Sequence, residues 1–161
     1  MTTRRTWALA AVACTGVVAA SQAGAGATEA DVFNLQSQVN AGSRPAIREL
    51  LSLEVDGAVA EDVDVVIGGA IRNHPEAVLE EIGKTSKAQC APCLDGLLGN
   101  LGDDFVDRFP EQVVELQKRR DALRSVEITR LRALRDKCVH ILERQIVQVQ
   151  AIIEKQSEAH R

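Results

Sequence analysis

Val59-Ala60-Glu61-Asp62-Val63-Asp64-Val65-Val66-Ile67-Gly68-Gly69-Ala70-Ile71-Arg72-Asn73-His74-Pro75-Glu76-Ala77-Val78-Leu79-Glu80-Glu81-Ile82-Gly83 is the stretch on which the fold turns. Val59, Val63, Val66, Ile67, Ala70 and Ile71 recur at helical spacing and share one face. Asn73 ends that helix. Pro75 opens the next, because a proline in the first turn gives up an N–H that has no helical partner anyway. Val78, Leu79 and Ile82 form the second apolar stripe, and Gly83 closes it. Two helices joined this tightly make an αα-hairpin. Val63 to Ile67 has strand-like composition, but its flanks keep the helical period.

The same period extends both ways. Val32, Leu35 and Val39 mark a short helix upstream, and Pro45 opens another bearing Ile47, Leu50 and Leu51. Downstream, Pro92 opens a helix with Leu94, Leu97, Leu98 and Leu101, weakened at its end by Gly99 and Gly102. Pro110 begins a segment with Val113, Val114, Leu116 and Leu123, and Ser125 marks a break. The last helix, from Leu131 through Cys138, Ile141, Leu142, Ile146 and Val149 to Ile153, runs about 30 residues, long for a globular helix. No alternating strand pattern bounded by turns is present. The expected fold is all-α: an irregular helical bundle of stacked αα-hairpins, HEAT-like in outline but without a sequence repeat, with a long C-terminal helix.

The N-terminus reads differently. Arg4 and Arg5 precede an uncharged Ala- and Val-rich run, Thr6 to Ala20, and small residues lead to Ala25-Gly26-Ala27. Basic, apolar, then small is the order of a secretory signal. The apolar run is short of the roughly 20 residues that span a bilayer. Residues 1–27 are therefore expected to be a cleaved signal peptide and 28–161 a single helical domain, periplasmic or secreted. Thr3-Arg4-Arg5-Thr6-Trp7 resembles the start of a twin-arginine signal, and Ala11-Val12-Ala13-Cys14 resembles a lipoprotein box.

Cleavage leaves 134 of the 161 residues, with all 23 acids against 17 bases, a net charge of −6. That balance favours solubility and argues against nucleic acid or an anionic membrane as partner. Only Phe33, Phe105 and Phe109 are aromatic in this part, too few to build base- or sugar-stacking platforms. No stable membrane insertion is expected after cleavage. Charge is unevenly spread: residues 28–107 hold 15 acids and 5 bases, and residues 108–161 hold 8 acids and 12 bases. Glu54, Asp56, Glu61, Asp62 and Asp64 make an acidic concentration. Arg119, Arg120, Arg124, Arg132 and Arg135, in the basic run, are candidates for a surface that steers a charged protein partner. Ordinary solvated faces, or two halves packed on each other, account for the same distribution.

Cys90-Ala91-Pro92-Cys93 is the most specific local motif, and Cys138 is the third cysteine after the signal. In an oxidising compartment one bridge is expected among three thiols. The reading placed first is a structural staple from Cys138 to Cys90 or Cys93, closing a loop of roughly 45 residues worth about 3–4 kcal/mol in the chain-entropy model. The second is redox chemistry at Cys90 and Cys93. Cys-x-Pro-Cys resembles the active site of thioredoxin-like proteins, and the resemblance, four residues long, implies a thiolate stabilised at a helix N-terminus. In those proteins the motif follows a central β-strand with an aromatic residue before it; here polar Lys84 to Gln89 precede it. A third reading adds His140 as a zinc ligand, but Cys138 and His140, two apart on a helix, point about 200° from each other. No metal or other cofactor is assigned.

Asp103-Asp104-Phe105-Val106-Asp107 matches the DDxxD of all-α prenyl-transferring enzymes, a resemblance that implies Mg²⁺ and diphosphate. The chain is far too short for that fold and has no second aspartate motif, so the segment reads as a capped loop. His74 reads as a helix cap, His140 as a partly exposed helix residue and His160 as part of a frayed end. With no catalytic set, the expected function is non-enzymatic protein binding, as an immunity or inhibitor protein, a chaperone or an envelope adaptor. Small helical chaperones of the Spy type are similar in size and export; their Leu-Thr-x-x-Gln motif has as counterpart here only Phe109-Pro110-Glu111-Gln112. The alternative is a thiol–disulfide protein using Cys90 and Cys93. The long C-terminal helix offers a possible homodimer seam.

Overall fold

The computed structural model describes residues 26–159. The expected leader up to Ala25, including Cys14 and the twin-arginine and lipoprotein resemblances, lies outside the described residues, as does His160. Seven α-helices and no strand occur among the described residues: α1 (Glu29–Asn40), α2 (Arg44–Ser52), α3 (Gly57–Asn73), α4 (Pro75–Ile82), α5 (Ala91–Gly99), α6 (Phe109–Arg124) and α7 (Arg132–Ala159). Short 3-10 turns at Ser86–Gln89, Asp103–Phe105 and Thr129–Leu131 precede α5, α6 and α7. None of the described helices is long and apolar enough to cross a membrane.

The α3–α4 hairpin forms where the sequence placed it. Val63, Val66, Ile67, Ala70 and Ile71 are buried on α3, and Val78, Leu79 and Ile82 on α4. α3 is the centre of the bundle: α1, α2, α4, α5 and α6 all pack on it. α6 and α7 form a long hairpin that closes over α3 and α5. Among the described residues the buried apolar side chains are aliphatic apart from Cys138; Phe33 is exposed, and Phe105 and Phe109 are half-buried. Beyond Ile146, α7 is mostly exposed, Val147 and Ile152 among its exposed residues, while Val149 still packs against the core.

Details depart from the pattern for physical reasons. Leu101 lies past the end of α5, because the helix stops at Gly99 and Asn100 turns extended. The Asn100 side chain accepts a hydrogen bond from the Gly102 N–H (3.0 Å), which sets the loop that follows. His74 does not cap α4 with its side chain; its ring Nε2 lies 3.0 Å from the Asn40 carbonyl oxygen and the ring packs on Gly42. Gly42, at φ +78°, has no Cβ to meet that ring, so the turn after α1 accepts the imidazole.

Several charges are interior. The Glu81 carboxylate is fully buried, held by two hydrogen bonds from Arg48 (2.8 and 3.2 Å) and one from Lys84 (2.6 Å). Hydrogen bonding to Arg48 in particular holds its pKa below the usual carboxylate value against the opposing effect of burial. Charges of the acidic and basic halves of the chain pair across the fold, Arg144 with Asp95 (2.5 Å) and Arg130 with Glu80, while Arg72 of the acidic half pairs with Glu115 of the basic half (3.1 Å).

Candidate functional site

With no strand among the described residues, the Cys-x-Pro-Cys motif lies at the first turn of α5. Cys90 has extended backbone at the N-cap; Ala91 and Pro92 open the helix, and Cys93 follows one turn in. That register sets the Cα atoms 5.2 Å apart, within the range a bridge requires, and the two sulfurs are bonded. The Cys90 Sγ also accepts a hydrogen bond from the Cys93 N–H (3.2 Å), one of the donors a helix start leaves unpaired. Both cysteines are half-buried.

The bridge is therefore local, and the expected staple to Cys138 is not formed. Cys138 is a free thiol, fully buried among the apolar residues of α7. Burial pushes its pKa up to about 12, so it stays protonated and unreactive. The N-cap register explains the difference: one helical turn already brings Cys90 and Cys93 together, with no long-range partner needed. His140 is exposed on the same helix while Cys138 points into the core, as their spacing requires. No cluster of three or more His, Cys, Asp or Glu side chains suited to a metal ion occurs among the described residues.

Two helices and a turn build the surroundings of the bridge. The turn Ser86–Gln89 enters α5 and is tied to α7 by Lys137, whose Nζ donates to the Ala88 carbonyl (2.9 Å). An open groove of about 680 Å³ runs beside Cys93, bounded by Leu53, Glu54, Val55, Asp64 and Lys87 and lined also by Gly26 and Ala27, the last two residues of the expected leader. Asp64 belongs to α3 and crosses to α5, where a Cβ on Gly96 would collide with its Oδ2. Only glycine at 96 leaves this space, one turn beyond Cys93 on the same face. Burial raises the Asp64 carboxyl to about 6, with Lys87 pulling it down and Glu61 pushing it up. Asp64 was legible in the sequence only as one of several acids expected at the surface. The signal that singles it out is its position between core residues Val63 and Ile67, opposite a glycine-bearing helix.

The arginine surface divides. Arg119 is not on it: only 3% exposed, it reaches under α5 and donates from Nη1 to the carbonyls of Leu98 (2.8 Å) and Asn100 (3.0 Å), with Nε 3.8 Å from Glu115 Oε1. These are carbonyls that a helix end leaves without N–H partners, so Arg119 caps α5 from a neighbouring helix. Gly68 makes the passage: a Cβ there would collide with the guanidinium and stand 2.8 Å from the Leu97 carbonyl oxygen. Burial lowers the Arg119 pKa to about 10, which leaves it charged at neutral pH. Arg120 pairs with Asp121 (2.8 Å), and Arg124 with Glu143 and Asp121. Arg135 pairs with Asp136 (2.7 Å) and donates to the Val126 carbonyl (2.7 Å), while Arg132 is exposed. Asp103, Asp104 and Asp107 are exposed around a 3-10 turn and converge on no common ligand position.

Comparison of the chain with protein-family models, with curated proteins and with solved structures finds no match.

Proposed function

We propose that this is an exported thiol–disulfide exchange protein that uses the Cys90–Cys93 pair on protein thiols. The observation that carries the reading is the bridge at the N-terminus of α5, half-exposed and beside a groove. A helix start stabilises a thiolate through its unpaired N–H groups and the positive end of its dipole. Cys90, at the N-cap, is the attacking sulfur; Cys93, one turn on, is the resolving one.

The exchange is balanced by the partner. In the oxidising direction a thiolate of a protein dithiol attacks Cys90, the Cys90–Cys93 bond breaks, and Cys93 leaves as a thiolate that takes up a proton. The partner's second thiolate then displaces Cys90. Two electrons pass from the partner, which gains a disulfide, to the pair, which becomes a dithiol. Run backwards, the dithiol form reduces a partner disulfide. Export through the signal-like residues 1–27 supplies the oxidising setting in which such a pair rests as a disulfide.

Protein docking without chemistry rested on export, a compact helical body, an acidic mature charge, an uneven charge distribution and the lack of a catalytic set, with the arginine-rich run as its candidate surface. Arg119 is interior, and Arg120, Arg124 and Arg135 are engaged within the chain. The exchange reading keeps a protein as the partner and locates the contact at the groove instead.

Cys93→Ser and Cys90→Ser test it. With the resolving thiol gone, Cys93→Ser accumulates mixed disulfides through Cys90, seen by non-reducing electrophoresis and mass spectrometry after thiol trapping. Cys90→Ser accumulates far fewer. Equal, negligible capture by both variants overturns the reading.

A further inference from the structure

We propose that processing cuts this chain after Ala25, so that the mature protein begins at Gly26 and keeps Gly26-Ala27 in the wall of its groove. This rests on the export part of the reading above and not on the exchange chemistry. The sequence offers two cuts of equal quality. Ala25-Gly26-Ala27 supplies small residues at both positions that define a cut before Thr28, and Ala23-Gly24-Ala25 supplies them for a cut before Gly26. Local sequence does not separate the two; the fold does. Ala27 is half-buried, and its N–H donates to the Glu54 carbonyl oxygen (3.4 Å) in the segment between α2 and α3. A Cβ on Gly26 would stand 3.8 Å from that same oxygen, an ordinary contact. Both residues line the groove that also holds Leu53, Val55 and Cys93. A leader is discarded and has no reason to complement the domain it leaves; these two residues do.

The bond before Thr28 is the poorer cut for two further reasons. Proteolysis favours chain that is exposed and free of structure. Thr28 is the N-cap of α1, and its N–H and Oγ1 both donate to Asp31 Oδ2 (2.8 and 2.9 Å), while Ala27 on the other side of the bond is already held by Glu54. A cut there would also place a new ammonium at the positive end of α1, where the helix dipole opposes a cation; Asp31 offsets part of that cost. A cut before Gly26 puts the ammonium elsewhere. It is protonated at neutral pH, and it enters a groove whose walls carry Glu54, Asp56 and Asp64 against the single cation Lys87. Charge therefore favours its staying. The groove beside Cys93 is then that of the mature protein as it stands, with its own N-terminus forming one part of the wall.

The test follows the N-terminus. The full chain is expressed in a bacterial host, α-amines of the exported fraction are labelled chemically, and the first peptide is identified by mass spectrometry. The expected start is Gly26. Ala27→Leu sets a large residue where the later cut needs a small one, and it is processed at Gly26 to the same extent as wild type. The purified mature protein then loses Gly26 to an aminopeptidase about tenfold more slowly than the free peptide of residues 26–30, because local opening must come first. A start at Thr28 or at any residue other than Gly26, a block of processing by Ala27→Leu, or trimming as fast as that of the peptide overturns the proposal while leaving export intact. A chain that is neither cut nor exported overturns the export reading, and this one with it; neither result bears on exchange at Cys90–Cys93, which is read separately from mixed disulfides.

Discussion

Replacing Arg119 by Met keeps a long apolar stem and removes the guanidinium. The Leu98 and Asn100 carbonyls then lose a donor at 2.8 and 3.0 Å, the first bond buried and the second half-buried. Mutational values for hydrogen bonds to a charged group run about 1.5–3 kcal/mol each. One Nη1 serves both carbonyls, so the lower end applies, and the expected cost is about 3 kcal/mol. Glu115 is not stranded, since Arg72 at 3.1 Å and Lys118 at 3.8 Å remain. The partner change is Gly68→Ala, whose Cβ collides with the guanidinium and presses on the Leu97 carbonyl. Its clash exceeds the gain of alanine over glycine in a helix, about 1 kcal/mol, for a net loss of about 1–2 kcal/mol. In the Arg119→Met background part of that clash disappears, so the two changes couple by about 1 kcal/mol. Urea unfolding followed by helical circular dichroism measures all four proteins. Arg119→Met within about 0.5 kcal/mol of wild type, or strict additivity with Gly68→Ala, refutes the buried-cap account.

Reducing the Cys90–Cys93 bond is expected to cost about 2 kcal/mol, because the loop it closes spans only four residues; a 45-residue loop to Cys138 would cost about 4. Thermal melts with and without reductant check this, and the reduced protein stays folded. Cys138→Ala leaves exchange activity unchanged and lowers stability by about 1 kcal/mol through lost packing alone, since the thiol is buried and protonated. Asp64→Asn separates from wild type in stability only as pH rises: the folded carboxyl titrates at about 6 against an ordinary 3.8, so wild-type stability falls between about pH 4 and 6 and is level above. That difference in pKa corresponds to about 3 kcal/mol, which solvent at this half-buried site reduces to about 1 kcal/mol in favour of Asn at pH 7, read from denaturation midpoints at pH 4 and pH 7.

The helical frame was legible because each signal agreed with its neighbours. On α3 and α4 the apolar period, Pro75 and Gly83 all point to one hairpin, and the core forms on those residues. Arg119 was not legible. Flanked by Lys118 and Arg120, it reads as one more surface charge, and only Gly68 and the carbonyls of α5, distant in sequence, give it an interior place. The cysteine pairing was half legible: the count fixed at most one bridge, but the choice of partner depends on backbone geometry at the start of α5. Asp64 hid among Glu61 and Asp62 for a similar reason, since its burial is created by Gly96 on another helix.

The most direct measurement is a redox titration of the folded protein in glutathione buffers of graded ratio, with the Cys90 and Cys93 thiols trapped and counted by mass. The account predicts one two-electron transition at a potential above about −300 mV, the level below which structural disulfides resist the glutathione pool, with helical structure kept throughout. A bond that stays closed below that level, or opens only as the helices melt, contradicts it and leaves the pair a structural clasp on α5.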